Sequence, residues 1–255
     1  MVTISGRPAL GLVVVVVAAA LSACSGDGGS GTASASGTGS STATATATAG
    51  PTPVSTAPTV AEVYREARTA ALSAASGHAV GTQTREGKTL RIDVEGNAAG
   101  SNQTVFITTP EGGTAEVRTV DGDYWLGGDE AFWVEQTGDE AAGRDMVGKY
   151  VQITESDATE LGSFTLRSIL SEKFALPEFA AFETDTGPVG EAEVEGRAAY
   201  VLGEEGGARL WVSADGSATL LRAVGPQSAP SDLEFSDWGR AQVFEAPESS
   251  QVVEG

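Results

Sequence analysis

An α+β domain is predicted, built as one antiparallel sheet with its helices on a single face. Three observations lead there. In the middle of the chain apolar and charged residues alternate, as in Leu90, Ile92 and Val94 against Arg91, Asp93 and Glu95, the pattern of strands with one dry and one wet face. Two-residue turn signals separate such runs, among them Asp121-Gly122, Glu195-Gly196 and Asp215-Gly216, so consecutive strands pair as hairpins. Helical spacing is confined to a few segments, too few to cover both faces of a sheet.

The elements follow in order. Thr59 with Glu62 reads as a capping box, and Val60, Val63, Tyr64, Ala67 and Ala71 recur at helical spacing, so a helix is expected over Thr59 to Ser76 with Gly77 as its stop. Strands are expected around Leu90–Val94, Val105–Ile107, Ala115–Val120 and Tyr124–Leu126. Two short helices broken at Gly138 are expected within Asp129 to Met146, then a strand from Lys149 to Ile153. Leu166, Ile169, Leu170 and Phe174 share one face of a helix from Phe164 to Leu176, ended by Pro177. Strands return at Ala192–Val194, Ala198–Leu202, Leu210–Val212, Leu220–Val224 and Leu233–Phe235, with a last one at Gln242–Phe244.

What precedes the domain is of another kind. Leu10 to Leu21 is almost wholly apolar, with five valines from Val13 to Val17, and Arg7 is the only charge ahead of Cys24. That is an export signal, too short for the ~20 residues of a membrane-spanning helix. It ends at Leu21-Ser22-Ala23-Cys24, which resembles a bacterial lipobox; Cys24 is the only cysteine in the chain. The resemblance implies cleavage before Cys24 and acylation of its thiol, and two acyl chains give durable attachment to a membrane. Residues 25–58 are Ser, Gly, Thr, Ala and Pro with a single Val54, and Asp27 is their only charge, a composition that cannot offset its own ordering entropy. The expected organisation is thus a signal over 1–23, a lipidated cysteine and tether over 24–58, the domain over 59–247 and a loose tail over 248–255.

A net charge of −20 argues against nucleic acid as a partner and against a polybasic grip on anionic lipid. Chemistry is sparse. His78 is the only histidine, and no Ser/His/Asp arrangement or phosphate-binding loop is suggested. Asp121/Asp123 and Asp129/Glu130 lack any calcium-loop spacing, and Glu191, Glu193 and Glu195 read as a solvated strand face. No catalytic residue, metal site or cofactor is expected. The positive signal is apolar: Trp125, Phe132, Trp133, Phe164, Ile169, Leu170, Phe174, Phe179, Phe182 and Trp211 concentrate in or beside the helices and their facing strands.

Short motifs add a resemblance. Val120-Asp121-Gly122-Asp123-Tyr124-Trp125, Gly148-Lys149-Tyr150-Val151, and Phe235-Ser236-Asp237-Trp238-Gly239 ahead of Glu245-Ala246-Pro247 are similar to the LppX/LprG group of actinobacterial lipoproteins. That resemblance implies a LolA-like half-barrel, a curved antiparallel sheet wrapped around helices, in which some members hold acylated glycolipids in an apolar cavity. The candidate cavity residues are then Trp125, Phe132, Trp133, Phe164, Leu166, Ile169, Leu170, Phe174 and Trp211. On this reading the chain is a monomeric exported lipoprotein, held to the outer face of the membrane through Cys24, that binds a lipid or glycolipid. The alternative is a cargo-free interaction or sensor module whose apolar residues form a filled core.

Overall fold

The computed structural model describes residues 57–85, 87–160 and 164–253; the signal, Cys24 and nearly all of the tether lie outside the described residues. The chain runs through α1 (Val60–Ser73), β1 (Ser76–Arg85), β2 (Lys88–Asn97), β3 (Asn102–Thr108), β4 (Thr114–Val120) and β5 (Asp123–Gly128). Then come α2 (Glu130–Thr137), α3 (Glu140–Met146), β6 (Tyr150–Ile153), α4 (Glu155–Glu160), α5 (Leu166–Ala175), α6 (Pro177–Ala180) and a 3₁₀ turn at Ala181–Thr184. It closes with β7 (Gly190–Val194), β8 (Arg197–Leu202), β9 (Arg209–Ser213), β10 (Leu220–Val224), β11 (Ser231–Ser236) and β12 (Val252–Val253).

All these strands form one open sheet in the order β12-β6-β5-β4-β3-β2-β1-β11-β10-β9-β8-β7. Two antiparallel meanders, β1 to β6 and β7 to β11, meet where β1 pairs with β11. The chain leaves β6, passes through α4, α5 and α6, and re-enters at the far edge with β7. Alternation sorts the side chains. Ile92, Val94, Val105, Ile107, Val117, Leu210, Val212, Leu233 and Phe235 join α1 and α5 in one apolar cluster on the inner face.

Local chemistry explains the elements. Thr59 caps α1 as expected, its hydroxyl accepting from the Glu62 N–H at 3.3 Å while Glu62 accepts from the Thr59 N–H at 2.9 Å. Asp121 and Gly122 both have positive φ, 53° and 93°, as the tight β4–β5 hairpin requires.

Four expectations are corrected. The first helix ends at Ser73 rather than Ser76, because Ser76 and Gly77 are already paired with Asn97 and Gly96. That makes Gly77 part of β1, a central strand that its small inner residues disguise. A Cβ on Gly77 would stand 2.9 Å from a Leu166 methyl, so the close approach of α5 needs glycine there. Gln242–Phe244 forms no ladder; the Asn102 side chain accepts from the Phe244 N–H at 2.9 Å and donates to its carbonyl at 2.8 Å, replacing a strand partner. The tail from 248 is not loose throughout, since β12 pairs with Tyr150 and Val151 of β6. That pairing is parallel, so the sheet is mixed at one edge.

Candidate functional site

The inner face and the helices over it are where the sequence places its site. α5 is fixed at its start by Thr165, whose hydroxyl accepts from the Ser168 N–H at 3.0 Å. The Gln103 amide donates to the Phe164 carbonyl at 3.2 Å, and the Arg167 N–H donates to the Ala98 carbonyl at 3.1 Å. Arg167 also donates from its guanidinium to the Leu72 carbonyl at 3.0 Å, joining α5 to the end of α1. Between these ties the helix meets the sheet through apolar side chains: Leu166, Ile169, Leu170 and Phe174 all belong to the inner cluster. Tyr64 of α1 packs edge-on against both Phe174 and Phe182 with ring centroids 5.9 Å apart, and Phe179 meets Phe182 at 6.1 Å.

Of the nine residues singled out from sequence, five come together here: Phe164, Leu166, Ile169, Leu170 and Phe174. Phe132 and Trp133 form a satellite with Ala115 under Met146 and Val151, towards the β6 edge. Trp125 and Trp211 do not belong to the interior, which corrects their placement. The period of two decides this: Tyr124 and Leu126 pack on the inner cluster, so Trp125 between them faces the other way. Leu210 and Val212 likewise point inward while Trp211 packs outside with Ala199 and Leu221, between the guanidinium groups of Arg209 and Arg222 at 4.8 and 5.2 Å. The candidate set omits Tyr64, Phe179 and Phe182, which all belong to the inner cluster, although the helical spacing of Tyr64 with Val60 and Ala67 puts it on the buried face.

The interior is filled. Leu166, Ile169 and Leu170 each keep only 1% of their surface accessible, so none borders a void large enough for water. Read as an open cavity, position 170 would accept a larger side chain; in this closed packing Leu170→Trp would overpack it.

The outer face carries the polar chemistry. The sequence suggests no Ser/His/Asp arrangement, yet β1, β2 and β11 bring His78, Asp93 and Ser236 together. His78 Nε2 lies 2.7 Å from Asp93 Oδ1 and Nδ1 lies 3.3 Å from Ser236 Oγ. The Ser236 hydroxyl donates to Asp237 at 3.0 Å, which leaves its oxygen to accept from Nδ1–H. When the ring is protonated both nitrogens donate, and the three side chains brace β1, β2 and β11 together. The hydrogen bond to Asp93, joined by the charges of Asp93, Glu95 and Asp237, raises the His78 pKa despite partial burial. A raised folded-state pKa gives stability that is full below the unfolded value near ~6.5 and is lost as pH rises through the folded one. The Tm advantage of wild type over His78→Asn is therefore expected to be largest at pH 5–6 and to shrink by pH 8–9, read by thermal melts of both chains across that range.

Further along, Tyr150 donates to Glu116 at 2.9 Å and accepts from Arg118 at 2.9 Å; burial, with the Glu116 hydrogen bond, pushes its phenol up to about 12. Asp129, weighed as a calcium ligand, caps α2 by accepting from the Phe132 N–H at 2.8 Å and also accepts from the Thr114 N–H at 3.1 Å. Among the described residues no group of three or more His, Cys, Asp or Glu side chains is arranged to hold a metal.

No family model matches the chain, and no curated protein matches it. Solved structures are similar to it. LprF from Mycobacterium bovis is 16% identical, covering 75% of this chain and 99% of that one, with a TM-score of 0.47. The Mycobacterium tuberculosis lipoprotein LppX is 13% identical, covering 72% and 98%, with a TM-score of 0.39. An uncharacterized conserved protein from Thermus thermophilus is 13% identical, covering 76% and 98%, with a TM-score of 0.30. LprF and LppX are of the type that the short motifs resemble. These are partial likenesses, and no activity passes from them to this chain.

Proposed function

We propose that this chain is an exported lipoprotein, anchored through acyl chains on Cys24, whose domain binds an acylated lipid between α1 and α5 and the inner face of the sheet. One observation carries the binding reading. The inner apolar cluster is continuous from Val117 on β4 to Leu202 on β8. In sheet order that is eight neighbouring strands, or about 34 Å at ~4.8 Å per strand. A single leaflet of hydrocarbon is only about 15 Å deep, half of the ~30 Å core. An acyl chain is accommodated when α5 lifts from the sheet, because its middle is held by apolar contact rather than by hydrogen bonds, and because an open sheet can flex where a closed barrel cannot. The ligand-free domain closes on itself, which accounts for the filled interior.

The anchor follows from the lipobox; among the described residues no helix is long and apolar enough to cross a membrane. Cys24→Ser is expected to release the chain from the membrane fraction or to block cleavage of the signal after Ala23. A Ser variant that is processed and still sediments with membranes after a salt wash contradicts the anchor.

The filled interior also favours a second reading, a cargo-free interaction or sensor module with an ordinary core. Lipid capture separates the two. The chain without its signal, starting at position 24 and carrying Cys24→Ser, is mixed with phosphatidylcholine vesicles containing a fluorescent diacyl lipid. Saturable transfer to the protein supports lipid binding; no transfer at any concentration supports the second reading.

A further inference from the structure

Near one end of the sheet the inner face carries two facing polar side chains. Gln103 is the second residue of β3 and Thr119 the last but one of β4, and the ladder sets them directly opposite each other. Two residues further in along these strands stand Val105 and Val117 of the inner cluster, so both polar side chains point to the interior. Gln103 is 2% exposed and Thr119 1%. The Gln103 amide nitrogen donates to the Phe164 carbonyl at 3.2 Å, which leaves the amide oxygen to accept. That oxygen and the Thr119 hydroxyl are both buried without a partner. Ladder partners stand about 5 Å apart at Cβ, yet these two do not bond each other. Among the described residues, no other two unpartnered buried groups face each other in a ladder. They break the rule that interior polar groups are paired, and they do so in complementary ways: Thr119 still has a proton to donate and Gln103 a lone pair to fill. One group that accepts and donates at once would satisfy both. A hydroxyl does so; an ester carbonyl only accepts, and an ammonium only donates. A net charge of −20 disfavours an anionic headgroup, so a neutral alcohol fits both the pair and the chain around it.

We infer that Gln103 and Thr119 recognise a free hydroxyl on the bound lipid, where its acyl chains meet its headgroup: Thr119 donates to that hydroxyl, and the hydroxyl donates to the Gln103 amide oxygen. This rests on the lipid-binding reading proposed above and narrows it to neutral lipids with an unesterified alcohol, of the diacylglycerol kind. The place agrees with the role. The pair lies at the strand ends beside the start of α5, the end of the helix that Gln103 ties down through Phe164. The apolar contacts of the helix lie further along it, at Ile169, Leu170 and Phe174. Acyl chains thus run under the middle of α5 and the hydroxyl stays at its tied end. A lipid without the hydroxyl leaves two buried groups unpaired, which is the condition under which a site rejects an analogue strongly.

Two measurements on the Cys24→Ser chain without its signal test this. In the first, vesicles of phosphatidylcholine carry either a fluorescent diacylglycerol or the same lipid with its hydroxyl methylated. The ether keeps the acyl chains and the oxygen but has no proton to give Gln103. Capture of the alcohol is expected to exceed that of the ether by about tenfold or more. The preference should vanish in Thr119→Val and in Gln103→Met and persist in Thr119→Ser, which keeps a hydroxyl. The two Thr119 variants leave the tie to Phe164 intact, which guards against a Gln103→Met chain that fails to fold. In the second, the ligand-free chains are melted. Thr119→Val replaces an unpaired buried hydroxyl by a methyl of nearly the same shape on a strand, so its Tm should equal or exceed that of the parent chain. A Tm lowered by several degrees would show that a buried water or Gln103 already satisfies Thr119 in the empty domain, and overturns the site. Equal capture of alcohol and ether also overturns the site and leaves lipid binding standing. No capture of either lipid overturns the lipid-binding reading and the site with it.

Discussion

Phe174→Ala is expected to destabilise the ligand-free domain by about 3–5 kcal/mol, as truncation of a buried aromatic does. At roughly 2–4 °C per kcal/mol for a domain of this size, that is a fall in Tm on the order of 10 °C. Phe174 is 4% exposed and meets Tyr64 edge-on at 5.9 Å, so its removal strips contacts from α1 as well as from the sheet. The same substitution is expected to raise lipid capture. If the closed interior must open before an acyl chain enters, weakening the closed state lifts the fraction competent to bind, and apparent affinity rises with it. Thermal melting and the vesicle transfer assay read the two effects separately. A loss of stability with unchanged or absent capture would mean that the closed core is the only state the domain uses.

Trp211→Ala is expected to cost a similar amount, about 3–5 kcal/mol, and to leave lipid capture as it is. The indole is 8% exposed although it lies outside the main interior, because Arg209 and Arg222 cover its ring and Ala199 and Leu221 flank it. Cation–π contact adds roughly 0.5–1 kcal/mol per exposed pair to the loss of area. The pairing of a large stability cost with no effect on capture distinguishes the outer cluster from the inner one. A Trp211→Ala chain that melts normally but loses lipid would return Trp211 to the binding surface.

Much of this is legible from the residues. The capping box at Thr59 and Glu62, the Asp121-Gly122 turn and the stripe of Leu166, Ile169, Leu170 and Phe174 each rest on short-range rules, and each stands in the structure. What escapes those rules is non-local. β1 reads poorly as a strand because Gly77, Ala79 and Gly81 leave its inner face nearly bare, for reasons that emerge only when α5 and β11 lie against it. Bulk alone groups Trp125 and Trp211 with the interior. Their alternation with Leu126, Leu210 and Val212 already assigns them to the opposite face, and that signal outweighs size.

The claim that matters most is that acyl chains occupy the space beneath α5. Photocrosslinking tests it most directly, using a diacyl lipid with a diazirine midway along one chain, loaded into the Cys24→Ser chain from vesicles and followed by peptide mass spectrometry. The account predicts adducts on Tyr64, Leu166, Ile169, Leu170 and Phe174. Adducts confined to outer-face residues such as Phe106 and Trp211, or none at all, would contradict it.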